Sequence, residues 1–234
     1  MAKSKRLPSP TLPPISSFLH AHSLLVSTYG SPSPSNSSSP SRGCDSHRSL
    51  VLDSLIRTIL SQNTTDATSI VAFERLKVAC PKWSSFLVAE EGKMINAVKC
   101  GGLAERKCEW IRVILTHLLE EKGEDMMVEG EPDMEFLRSW PTSSIKSYLS
   151  GFKGVGPKTI SCVLMFSLDR PDFPVDAHVW KLAKALNWLP ANATRVEAYE
   201  MLNVAVPDDI KYELHVLMVM HGKREKNELG VLRE

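Results

Sequence analysis

From Arg48 onward, apolar side chains recur at steps of three and four residues, the period of helices buried on one face. Leu50, Val51, Leu55 and Ile59 follow that period until the polar run Ser-Gln-Asn-Thr-Thr-Asp at 61–66. Thr65 or Asp66 suits the cap of a second helix, carrying Ile70, Val71 and the region of Leu76. Ile111, Ile114, Leu115, Leu118 and Leu119 predict a third. Pro141, with Ser143 and Ser144, opens a short helix through Tyr148 and Leu149, and Pro157 opens another through Ile160, Val163, Leu164 and Phe166. Asp176 starts the next, with Val179, Leu182, Ala183 and Leu186 on its apolar face, and segments 196–206 and 212–220 complete the set. No sustained two-residue alternation marks a strand, so the expected class is all-α.

Composition narrows the picture. The 234 residues are 43% hydrophobic, enough for one or two domains with a real core, and collagen, coiled-coil and wholly disordered classes are excluded. Lys plus Arg (28) nearly cancels Asp plus Glu (27), leaving +1, so any contact with nucleic acid has to be local rather than driven by a broad positive field. Apolar runs such as Val216–Met220 fall far short of the roughly 18 residues of a membrane span. Five cysteines, Cys44, Cys80, Cys100, Cys108 and Cys162, form no Cys-x-x-Cys pair, which points to reduced thiols and an intracellular chain. Residues 1–44 stand apart: Ser and Pro dominate, the run Ser-Pro-Ser-Pro-Ser-Asn-Ser-Ser-Ser-Pro-Ser has low complexity, and no acid precedes Asp45. That segment is expected to be an unpacked leader. Lys3, Lys5 and Arg6 fit a nuclear-import patch, and with Arg42 they also fit a chloroplast or mitochondrial transit peptide. Residues 45–224 then form the folded domain and 225–234 a polar tail.

The chemistry concentrates in Leu-Ser-Gly-Phe-Lys-Gly-Val-Gly-Pro-Lys-Thr-Ile-Ser-Cys-Val-Leu, residues 149–164. A helix stops, the chain turns through Gly154, Val155 and Gly156, and a new helix starts at Pro157. Glycines allow close backbone approach to a ligand, and unpaired amides at a helix N-terminus suit a phosphate oxygen. The same residues also suit an ordinary tight turn between helices, and spacing alone leaves both open.

The stretch Gly-Val-Gly-Pro-Lys-Thr at 154–159 resembles the helix-hairpin-helix of DNA repair proteins. Phe-Pro-Val-Asp-Ala-His-Val-Trp at 173–180 is similar to the segment that follows it in the helix-hairpin-helix (HhH-GPD) DNA glycosylase superfamily. Leu-Ser-Gln-Asn-Thr-Thr-Asp at 60–66 resembles the signature of that superfamily's endonuclease III-like branch. The resemblance covers roughly residues 48–224 and implies two helical subdomains with an active-site cleft between them, acting as a monomer on double-stranded DNA with a damaged base. It implies that Lys158 is the nucleophile of a base-excision DNA glycosylase and AP lyase, and that Asp176 assists it. Gly154, Val155, Gly156 and Thr159 would bind the DNA backbone. Gln62 and Leu103 would enter the duplex when the base is everted.

Bland roles compete for the same residues. Lys158 suits a solvated surface, Asp176 an N-cap, and Leu103 the packing of an exposed loop. His178 and the five tryptophans receive no catalytic part. Oxidised pyrimidines are the first expected substrate, with 8-oxoguanine and 5-methylcytosine as alternatives that the same motif allows. The branch commonly carries a [4Fe-4S] cluster on four cysteines after the His-Gly-Lys stretch, but no cysteine follows Cys162 here, so no cluster and no metal are expected. A non-catalytic DNA-binding module, an inactive truncated isoform and a monofunctional glycosylase that uses water remain open.

Overall fold

The computed structural model describes residues 12–32, 50–121, 127–128, 131–225 and 232. The chain falls into two compact units, one built from the described residues of 50–172, the other from those of 12–32 and 173–232.

The 50–172 unit contains α2 (Val51–Leu60), α3 (Asp66–Ala79), α4 (Trp83–Val88), α5 (Glu91–Val98), α6 (Ala104–Glu120), α7 (Thr142–Ser150) and α8 (Pro157–Phe166). Helix α2 packs on α8, and both are buried on nearly every side. Apolar residues all round are what a central helix requires. Leu55, Ile56 and Ile59 meet Ile111, Ile114 and Leu115 of α6 and Val163 and Leu164 of α8 in one core.

Several expectations shift by a residue or a face. Leu50 precedes α2 and is exposed rather than in the core. Thr65 caps α3, its hydroxyl accepting from the Thr68 amide at 3.2 Å. The buried face of α3 is Ser69, Ala72, Phe73 and Leu76; Ile70 and Val71, one position to either side of that three- and four-residue stripe, lie outside it. A minimal antiparallel ladder pairs β1 (Met127–Val128) with β2 (Glu131–Pro132), too short to show as alternation.

The other unit contains α1 (Ile15–Tyr29), α9 (Ala177–Ala185), α10 (Arg195–Ala205) and α11 (Lys211–Arg224). Helix α1 corrects the view of residues 1–44 as an unpacked leader. Phe18, Ala21 and Leu25, at three- and four-residue steps, are buried against this unit's core, with the Phe18 ring tilted 60° against Trp188 at 4.6 Å between centroids. The Ser/Pro bias is densest at residues 8–17 and 31–41, on either side of an amphipathic stretch that it obscures. Residues 1–11 and 33–49, including Lys3, Lys5, Arg6, Arg42 and Cys44, lie outside the described residues, as does nearly all of the 225–234 tail. No helix among the described residues is long and apolar enough to cross a membrane.

Candidate active site

Helix α7 ends at Ser150, and the chain reaches α8 through a hairpin whose tightest point is Gly154, at φ +86°. Two constraints require glycine there. The backbone is in the left-handed region, and a Cβ would lie 2.3 Å from Cδ2 of Trp110 on α6. The indole of Trp110 thus forms the floor of the hairpin, a part no local sequence signal assigns to it. The other tryptophans are structural as well. Trp83 donates to Asp53 at 2.7 Å, Trp180 donates to the Ala193 carbonyl at 3.0 Å, Trp188 packs on Phe18, and Trp140 joins Phe136 and Tyr148 edge to face.

Val155 is buried, and its amide donates to the Phe152 carbonyl at 3.1 Å, closing the turn. Pro157 occupies the start of α8, and the first helical bond runs from the Ile160 amide to the Gly156 carbonyl at 3.0 Å. The amides of Lys158 and Thr159 therefore fall in the first turn, where α-helical geometry supplies no partner. Lys158 is half-buried, the second residue of the helix.

Gln62 lies in the turn after α2, and its side-chain amide donates to the Gly154 carbonyl at 2.8 Å and to the Thr159 hydroxyl at 3.3 Å. Gln62, Gly154 and Thr159, three positions singled out in the sequence, are thus in direct contact. Thr159 is buried, so its hydroxyl braces Gln62 while its main chain shares the helix start. Asn63, the next residue, has φ +54°, a conformation that a short polar side chain tolerates and that turns the chain toward α3. Leu103 stands just before α6, 43% exposed, with φ +52° and ψ +33°. A branched apolar residue that is both exposed and left-handed is strained, and such strain collects at functional loops.

Asp176 belongs to the second unit. Its carboxylate accepts from the Val179 amide at 2.8 Å, making it the N-cap of α9. The residues before it are pinned: the Phe173 amide donates to Asn203 Oδ1 at 2.9 Å, and His215 Nδ1 donates to the Pro174 carbonyl at 2.9 Å. The helix itself is seated on α11 at Gly222, where a Cβ would lie 2.7 Å from the Cβ of His178. The ordinary capping role and a carboxylate held in one place are the same observation.

Among the described residues, Cys80, Cys100, Cys108 and Cys162 are spread over different elements, and burial pushes the Cys108 thiol up to about 11 and raises that of Cys80. These four do not converge as the ligand set of an iron-sulfur cluster. Among the described residues no three His, Cys, Asp or Glu gather as a metal site.

A family model described as "HhH-GPD superfamily base excision DNA repair protein" matches residues 56–208. The Arabidopsis thaliana protein named "Putative DNA glycosylase At3g47830" is 47% identical over 173 residues, 74% of this chain and 57% of that protein. The chain therefore spans little more than half the length of that relative. Endonuclease III of Sulfolobus acidocaldarius is 25% identical over 176 residues, 74% of this chain and 73% of its own length. In fold, a solved "Structure of a non-covalent Endonuclease III-DNA Complex" superposes with a TM-score of 0.70 at 17% identity, covering 92% of this chain and 89% of that one. The matched span contains Gln62, Leu103, the hairpin, Lys158 and Asp176 together, and the chain belongs to the HhH-GPD superfamily of base excision DNA repair proteins, with the helix-hairpin-helix fold of endonuclease III.

Proposed function

We propose that this protein is a bifunctional DNA glycosylase and AP lyase that removes a damaged base, an oxidised pyrimidine first, from double-stranded DNA as a monomer. The carrying observation is the placement of Lys158 on the second residue of the hairpin's following helix, beside Thr159 and its bond to Gln62. The Gly156–Thr159 segment receives a phosphate on main-chain amides. The neutral Lys158 amine attacks C1′ of the deoxyribose, the C1′–N bond breaks and the base departs with its electron pair and a proton. The C1′–O4′ bond then opens, O4′ taking a proton, to leave an imine between C1′ and the lysine nitrogen; the imine acidifies C2′, and loss of that proton expels the 3′ phosphate by β-elimination. Asp176 stabilises the cationic sugar as the glycosidic bond opens and takes the proton from the attacking amine. An amine, a carboxylate and backbone donors suffice for this sequence of steps, so it is proposed without a metal or cluster. The working compartment is the nucleus, or an organelle where the N-terminal segment acts as a transit peptide.

Borohydride trapping on a panel of duplexes carrying oxidised pyrimidines, 8-oxoguanine, 5-methylcytosine or an abasic site tests this. The expected result is a covalent adduct that Lys158→Ala abolishes, strongest with an oxidised pyrimidine or an abasic site. Base release without an adduct assigns a monofunctional enzyme that uses water. Salt-sensitive binding with neither product assigns a non-catalytic module.

A further inference from the structure

Lys107 on α6 is completely buried, unusual for a lysine and costly unless its ammonium is fully engaged. Its Nζ donates to the Leu60 carbonyl at 2.8 Å and to the Gly101 carbonyl at 2.9 Å. Both acceptors are C-terminal. Leu60 closes α2 two residues before Gln62, and Gly101 closes a 3-10 turn (Lys99–Gly101) two residues before Leu103. Such carbonyls lack helical partners and carry the negative end of the local dipole, which favours a cation. The Lys107 amide donates to the Leu103 carbonyl at 2.9 Å in the first bond of α6, so the ammonium is anchored next to the Leu103 loop while it ties Gly101 of that loop to Leu60 before the Gln62 turn. Burial lowers the pKa of the amine below the usual lysine value, consistent with an environment that tolerates the charge only for these bonds.

We propose that Lys107 is a positioning residue that fixes the Gln62 turn and the Leu103 loop in register, so that both enter the duplex together when a base is everted. This rests on the assignment of Gln62 and Leu103 to the duplex. Lys107 touches neither substrate nor reacting atoms, and its effect passes through the two loops. Loss of the ammonium leaves two buried carbonyls unpaired and lets the loops move apart, while the Lys158 helix keeps its own packing on α2.

The test compares Lys107→Met and the milder Lys107→Gln with the unaltered full chain, each shown to be folded by its thermal unfolding transition. Two signals are read: the rate of abasic-site cleavage in a duplex relative to the same site in a single strand, and the fluorescence rise of 2-aminopurine placed opposite the abasic site. A displaced loop of about 1 Å costs up to about a hundredfold in a positioned reaction, so the duplex-to-single-strand ratio is expected to fall about ten- to a hundredfold in Lys107→Met, less in Lys107→Gln, with the fluorescence rise lost in parallel. A purely structural lysine lowers both rates together, and an unchanged ratio in either folded variant overturns the proposal. Where Lys107→Met does not fold, Lys107→Gln decides. Gln62→Ala and Leu103→Ala separate the two levels. If they leave the fluorescence rise intact, the duplex-entry assignment fails. If they remove it while folded Lys107 variants retain it, the register role alone fails.

Discussion

Asp176 has a structural job and a proposed chemical one, which different substitutions separate. Its carboxylate caps α9 through the Val179 amide, and in the proposed mechanism its charge is what the glycosidic step uses. Asn caps a helix about as well as Asp, whereas Ala loses about 1 kcal/mol. Asp176→Asn is therefore expected to unfold at the same denaturant concentration as the parent while base release and borohydride trapping fall by about 10²- to 10⁴-fold, the usual weight of a proton-transfer or electrostatic partner. Asp176→Ala loses the same activity and about 1 kcal/mol of stability as well. Equal activity in the Asn variant would reduce Asp176 to its cap. Gly154 is the opposite case, where geometry alone decides. A methyl group there meets the Trp110 ring at 2.3 Å on a backbone already at φ +86°. Gly154→Ala is expected to cost about 1–3 kcal/mol in urea unfolding and to weaken duplex binding, because the displaced hairpin also releases the Gln62 bond to the Gly154 carbonyl. A stability loss with unchanged DNA affinity would show that the hairpin is scaffolding only.

At the scale of elements, α1 makes the sharpest correction and gives its own test. Phe18 is fully buried against Trp188, and truncating such a side chain costs about 3–5 kcal/mol, so Phe18→Ala should lower the denaturation midpoint strongly. Equal stability for Phe18→Ala would mean that α1 is not part of the folded unit. The helix was hidden from the sequence by its neighbours: Phe18, Ala21 and Leu25 carry a plain helical period, but averaging over a segment rich in Ser and Pro diluted it. The elements that could be read directly were those with a cap or a breaker at the boundary. Pro157 set the start of α8, Asp176 that of α9 and Thr65 that of α3, because each acts through local hydrogen bonding or a fixed φ. The site divides the same way. Lys158, Gln62 and the hairpin glycines were legible as motifs, whereas Trp110 and Lys107 were not. Their roles come from contacts across 44 residues to Gly154 and 47 to Leu60, and no periodicity encodes which glycine an indole supports or which carbonyls a buried lysine reaches.

For the whole molecule, the near balance of charge becomes an argument about how DNA is held. With a net charge of +1, long-range attraction contributes little, and the proposed phosphate ligands are main-chain amides at a helix start rather than a basic stripe. Counterion release scales with the phosphates neutralised by cationic side chains, with a slope of about −0.9 per contact in the logarithm of affinity against the logarithm of salt. A protein that grips mainly through amides, apolar wedges and an everted nucleotide should therefore show a shallow slope, about −2 to −4, between 50 and 200 mM salt. Affinity for lesion-bearing duplex should exceed that for undamaged duplex at every salt concentration, since eversion is cheaper at a damaged base and the proposed wedge residues act only once it has occurred. Fluorescence anisotropy of labelled lesion and control duplexes over that range measures both quantities. A slope near −8, or lesion and control curves that coincide, would mean that the chain binds as a diffuse polycation, and the part assigned to the hairpin at Gly154–Thr159 would have to be given up.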